Sequence, residues 1–201
     1  MMVASVMRTK GMLLALLAIV VVIGLAALGG PASGQGTSDG PAQTLRFDVA
    51  EDMSRFVFDQ TVAFEDGMPK HGSPFITQGY IYEAGTLSGG NGVLEDGSPE
   101  FPDKVIGEWT CRGWFVGEGA HAKTGPMVIT TQLYNFGEGL GDETIVSEGY
   151  ELADVGVVIQ RAITGGTGEY TGIEGEVKQT FLGFNASEGV NLTFEVEFAR
   201  S

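Results

Sequence analysis

The chain of 201 residues has a single cysteine, Cys111, so no disulfide can close within it and the fold must rest on a hydrophobic core. A buried free thiol is the simplest reading of that residue. Positive charge is also scarce: 11 Lys and Arg stand against 26 Asp and Glu, a formal charge of −15. Without Arg8 and Lys10 of the leader, nine basic residues face 26 acidic ones, a balance of −17. Nucleic acids and anionic membrane surfaces are poor partners for such a chain. Only two histidines occur, His71 and His121, in different loops beside Lys70 and Lys123, so a two-histidine zinc site is not expected. The G-x-S-x-G match at Gly36 to Gly40 lies in the small, polar stretch after the hydrophobic run rather than between a strand and a helix, and neither histidine lies in a strand-end motif, which disfavours a serine hydrolase. The acidic stretch GEGLGDE, with Glu138, Asp142 and Glu143, misses the spacing of a calcium loop and reads as a solvated charge run.

The N-terminus does hold a long hydrophobic run. Arg8 and Lys10 precede Gly11 to Leu28, 18 residues without a charge, and a small, polar, flexible stretch follows. This order reads as a secretory signal over residues 1–34, with cleavage after Ala32 or Gly34, and a linker over 35–43. The same run just reaches bilayer-spanning length, so an uncleaved membrane anchor is the alternative. Either way the remainder, residues 44–201, is expected outside the cytoplasm as one domain, with membrane contact only through the leader.

Past the linker the chain shows no helical periodicity. Short alternating runs rich in β-branched and aromatic residues are separated by glycine, proline and acidic clusters. In NLTFEVEFA the residues Leu192, Phe194, Val196 and Phe198 form one face, and Asn191, Thr193, Glu195 and Glu197 the other. In SRFVFDQTVAF the apolar row Phe56, Phe58, Val62 and Phe64 includes one polar member, Gln60, which would need a partner if it points inward. Further strands are predicted over roughly 75–82, 105–116, 127–136, 144–152, 157–163 and 176–184, which makes eight. Eight antiparallel strands without a helix predict an all-β fold. A closed up-and-down barrel with a small lumen is the first choice and a two-sheet sandwich the second. The long segment 83–103 is taken as solvated surface rather than a lid. Arg161 lies on the otherwise apolar row Val157, Ile159, Ile163, so it is either a buried cation needing a carboxylate or anionic ligand, or a residue at a mouth or subunit contact. Two N-glycosylation sequons, at Asn185 and Asn191, have meaning only in a eukaryotic secretory host.

The run AITGGTGEYTGIEGEV, from Ala162, superficially suggests a nucleotide-binding loop. Thr171 stands where the third glycine of that motif belongs, an alternating strand rather than a helix follows, and only some 30 residues remain. The glycines Gly165, Gly166 and Gly168 therefore read as a bend between strands, with Tyr170 packed over it.

That segment, extended to Lys178, resembles the strand–turn–strand of allene oxide cyclases and, more loosely, the GGTG turn of plant dirigent proteins. GSPFITQGYIY from Gly72, EWTCRGWFVG from Glu108 and SEGYEL from Ser147 follow the family's order, so the likeness spans roughly residues 44–199. The resemblance implies an eight-stranded barrel, often trimeric, that holds a small hydrophobic molecule in its lumen and uses neither metal nor organic cofactor. The cyclases close an unsaturated fatty-acid epoxide into a cyclopentenone, and dirigent proteins steer phenoxy-radical coupling or cyclise a quinone methide. By this resemblance Gln60 and Cys111 would be the polar lumen groups, with Phe56, Phe58, Trp109 and Phe115 forming the wall. Two departures stand out: Gln60 occupies the row where the cyclases carry a glutamate, and Cys111 sits two residues early. No catalytic residue is assigned. The expected function is a secreted barrel binding a hydrophobic molecule, either as a cofactor-independent isomerase or cyclase or, in the alternative, as a carrier or structural surface protein. By the same analogy it would be a trimer or dimer.

Overall fold

A computed structural model of the protein describes residues 41–88 and 90–200; the leader and most of the linker lie outside them. Eight antiparallel strands, hydrogen-bonded in chain order, form one closed barrel. They are β1 (Gln43–Phe58), β2 (Pro74–Glu83), β3 (Val105–Phe115), β4 (Pro126–Asn135), β5 (Thr144–Leu152), β6 (Val158–Gly166), β7 (Ile173–Phe184) and β8 (Val190–Arg200). The barrel closes where β1 pairs with β8, from Gln43 opposite Phe198 to Ala50 opposite Asn191. Closure removes both sheet edges, so every inward residue must find its partner inside the barrel.

The expected first strand is displaced. β1 starts eleven residues earlier than the row Phe56, Phe58, Gln60 suggests and ends at Phe58. Asp59 stops it: its Oδ1 accepts the Thr61 N–H at 2.9 Å and the Thr61 hydroxyl at 2.7 Å, while its carbonyl accepts the Val62 N–H. Between Asp52 and Val57 the β1–β2 register shifts, with residues 53–56 opposite the single Thr77. The odd excess reverses the parity of the strand. Phe47, Val49, Glu51 and Met53 point inward before this bulge, and Phe56 and Phe58 after it.

The interior is filled at one end by interlocking rings. Phe47 lies 5.1 Å from Tyr134 and from Phe194, and 5.2 Å from Phe136. Tyr170 closes this end against Phe136 and Phe198. The glycine bend is built differently from the expectation: Gly165 and Gly166 are the last residues of β6, and the turn is a short 3-10 segment, Gly168–Tyr170. Gly168 has φ +55, and a Cβ there would lie 2.1 Å from the Asp142 carbonyl oxygen, so no other residue fits.

The segment expected to be solvated surface carries a second, small core on the outside of the barrel. Leu87 and Val93 are buried against Ala50 and Tyr82, with Phe101, Tyr80 and Val105 around them. Polar groups anchor this flap: Asp48 accepts the Leu87 N–H at 3.0 Å, and the Tyr82 and Tyr80 hydroxyls donate to the carbonyls of Gly92 and Gly97. Burial pushes the Tyr82 phenol up to about 12, so it stays a donor. Replacing Leu87 by Ala should cost about 2–4 kcal/mol in urea unfolding, as for a core leucine. A loss within the range of a surface substitution would show that the flap is not part of the folded unit.

Candidate functional site

Opposite the aromatic plug, a cavity of about 580 Å³ opens where β1, β3, β5 and β7 end. Its volume lies in the ordinary range for sites holding one small molecule. Phe56, Phe58, Phe75, Phe115 and Trp109 contribute to its lining, as do Met53, Met68 and Met127. Phe56 stacks on Phe75 at 5.6 Å, and Phe75 meets Phe115 at 5.1 Å, so the rings form one continuous apolar surface. The polar lining deeper in is Glu51, Thr77, Cys111 and Glu151.

Of the six lumen candidates read from the sequence, Phe56, Phe58, Trp109, Cys111 and Phe115 line this cavity. Gln60 does not: it is exposed in the turn after β1, because Asp59 ends the strand before the alternation reaches it. A glutamate does stand inside the first strand, at Glu51, on the far side of the bulge.

Glu51 is buried, and its carboxyl is held by its neighbour β8, where the Val190 N–H donates to Oε2 at 2.8 Å. Burial pushes its pKa up, opposed by that backbone donor. The Thr77 hydroxyl is buried beside it without closing a hydrogen bond of ordinary geometry. The β7–β8 turn wraps the same stretch of β1: Asn185 Nδ2 donates to the Glu51 carbonyl at 2.8 Å, and the Ser187 hydroxyl donates to Asn185 Oδ1 at 2.7 Å. Asn185 and Asn191 are buried and engaged in this packing, with Asn191 Nδ2 donating to the Asn91 carbonyl of the flap at 2.8 Å, so neither sequon presents a free side chain.

Beneath the cavity lies a polar network that ties β3 to β7. Glu151 Oε1 accepts from Thr130 Oγ1 at 2.6 Å, Gln132 Nε2 at 2.8 Å and the Cys111 thiol at 3.7 Å; Oε2 accepts from Gln179 Nε2 at 3.0 Å. Arg161, the polar member of the β6 row, points inward, with Nη1 3.6 Å from Glu151 Oε1. Its Nε donates to Ser147 Oγ at 3.1 Å, and Nη2 to the Thr130 hydroxyl and carbonyl at 2.9 and 3.0 Å. Gln132 Oε1 accepts from both Trp109 Nε1 and the Tyr134 hydroxyl. The Tyr134 proton therefore goes to Gln132, and Ser147 donates to Tyr134 while accepting from Arg161. Burial raises the Cys111 thiol well above its ordinary pKa, with the Glu151 charge adding to the effect, so Cys111 is a neutral donor rather than a nucleophile.

The other titratable candidates lie elsewhere. His121 is exposed, stacked on Phe64 at 4.2 Å and paired with Asp66 at 2.8 Å; His71 is exposed in the β1–β2 turn. Glu195 and Glu197 are outward, both bonded to Lys178. Among the described residues no group of three or more His, Cys, Asp and Glu is placed to hold a metal.

No protein-family model matches the chain, and no curated protein matches it. Solved structures do. The pterocarpan synthase dirigent protein PsPTS1 superposes with a TM-score of 0.56 at 15% identity, over 80% of this chain and 96% of its own. The pterocarpan synthase dirigent protein GePTS1 gives 0.55 at 13% identity, over 89% and 100%. The Diels Alderase AbmU from Streptomyces koyangensis gives 0.46 at 13% identity, over 81% and 70%. The chain thus shares its barrel fold with dirigent proteins, at identities that speak for the fold alone.

Removing Arg161 while leaving its carboxylate partner should be expensive. Arg161→Met is expected to lower stability by about 3–5 kcal/mol, and Glu151→Gln combined with it to recover most of that loss. A single variant as stable as the parent in urea would show that the pair is not coupled.

Proposed function

We propose that the barrel binds a small hydrophobic molecule in this cavity and rearranges it as a cofactor-independent isomerase or cyclase, acting outside the cytoplasm. The observation that carries this reading is a carboxyl group, Glu51, set by burial to keep its proton at pH values where an exposed glutamate has lost it, at the inner end of an aromatic cavity. Such a group is suited to general acid catalysis.

In this reading the aromatic lining holds one conformer of the ligand and excludes water, so the reacting ends stay close. Glu51 donates its proton to an oxygen of the ligand, bonding electrons shift towards that oxygen, and positive charge develops on carbon. The Glu151 carboxylate, also in the lining, stabilises that charge. Ring closure or bond migration ends with a proton leaving carbon for the Glu51 carboxylate. The proton is returned and the reaction is an isomerisation in balance. A likeness to allene oxide cyclases, read from the GGTG segment, and the barrel shared with dirigent proteins both accord with this chemistry. Cleavage of the leader, or anchoring by residues 11–28, would place the barrel at or beyond the cell surface.

One observation favours a second reading. An exposed apolar row crosses the outside of the barrel through Val57, Ile76, Trp114, Ile129 and Tyr150, which are register neighbours or close to it. It suits contact between copies in a dimer or trimer, as a carrier or structural surface protein would also use.

The two readings separate when the protein is incubated with unsaturated fatty-acid epoxides, phenols and polyenes and the mixture is analysed for bound ligand and chiral product. The enzyme reading expects product. It also expects Glu51→Gln to slow turnover by about 10²–10⁴-fold while the ligand still binds. Binding without product makes the protein a carrier, and no binding at all leaves the structural surface protein.

A further inference from the structure

The cavity is one-sided in charge. Its ionisable lining consists of Glu51, Glu151, Glu188 and the neutral thiol of Cys111, with no lysine, arginine or histidine among the lining residues. The Arg161 guanidinium lies behind the wall, paired with Glu151 and with its other donors taken by Ser147, Thr130 and Tyr150. A carboxylate-bearing ligand would therefore lose its hydration without gaining a cation. The rings of Phe56, Phe75 and Phe115 line the same space, and an aromatic ring attracts positive charge through its face.

We propose that the cavity selects lipophilic organic cations, flat or polyene in shape, with the positive charge set against Glu51. The inference rests on the reading that this cavity is the ligand site, and it adds the charge class of the ligand. Three observations converge on it. Glu51 faces the cavity without a cationic partner, whereas Glu151 is already paired with Arg161, so a bound cation is the partner that would let Glu51 give up its proton. Thr77 offers a buried hydroxyl oxygen that closes no hydrogen bond of ordinary geometry, an acceptor for a ligand N–H where the cation carries one. Glu188, exposed at the rim, and the overall charge of −15 draw cations towards the mouth. The same arrangement would favour a neutral substrate that becomes cationic as it reacts, but its ground-state signature is a preference for permanent positive charge.

The test uses the purified full chain and three probes of nearly one shape: N-methylacridinium, acridine and acridine-9-carboxylate. Affinities are measured by calorimetry at a pH of about 8, where acridine is uncharged. N-methylacridinium is expected to bind at least about tenfold more tightly than acridine, and the carboxylate at least about tenfold more weakly. Glu51→Gln should bring the cation to within about threefold of acridine, and Glu188→Gln, a substitution at the exposed rim, should lower cation affinity by a smaller factor. Equal affinity of the cation and acridine for the parent protein, or tightest binding of the carboxylate, overturns the charge preference and leaves the cavity as a site for hydrophobes. Failure of all three probes to bind contradicts the cavity reading as well.

Discussion

The interior of a closed barrel cannot lend its polar groups to solvent, and this chain places an ion pair there. Glu151 and Arg161 are worth keeping inside only because each is met by further partners: Thr130, Gln132, Gln179 and Cys111 on the carboxylate, Ser147 and Thr130 on the guanidinium. These partners come from five consecutive strands, so the network fixes the register of β3 to β7 from within. It also divides the lumen. On one side the rings of Phe47, Tyr134 and Phe194 pack against one another, and on the other the cavity begins, with Glu151 and Cys111 in its wall.

A second carboxyl is held from the opposite direction. Glu51 lies on β1, and the β7–β8 turn grips both its carboxyl and its backbone. That turn is bonded in turn to the outer flap, where Asn91 accepts from Ala186 and Asn191. The flap packs on the outside of the strand whose inside carries Glu51. Packing outside the barrel and chemistry inside it are thus two faces of β1, which explains why the first strand is long and why its parity breaks between Asp52 and Val57.

Much of the fold was legible in the sequence, because strand alternation reports burial directly. The row Leu192 to Phe198 and the bounds of β5 follow the pattern. Arg161 could be singled out as a charge in an apolar row, although its direction could not. The candidate site was legible only in part, for particular reasons. Extending the Phe56–Phe58 row forward gives Gln60, and extending it backward puts Glu51 on the outer face; only the bulge, invisible to a period-two count, turns Glu51 inward. In β5 hydropathy misleads, since Tyr150 is the exposed residue and Glu151 the buried one. The flap escaped notice because its few apolar residues, Leu87, Val93 and Phe101, are spread among glycines and acids and find their partners only on the barrel's outside.

The account turns on Glu51 being a buried, proton-holding carboxyl inside a cavity that accepts a ligand. Carbon-13 NMR titration of the glutamate side chains, with Glu51 assigned from the resonance missing in Glu51→Gln, measures this directly. The account predicts that Glu51 titrates at higher pH than the exposed glutamates and that its resonance moves when a hydrophobic ligand fills the cavity. A Glu51 carboxyl that titrates with the exposed group and ignores the ligand would contradict it.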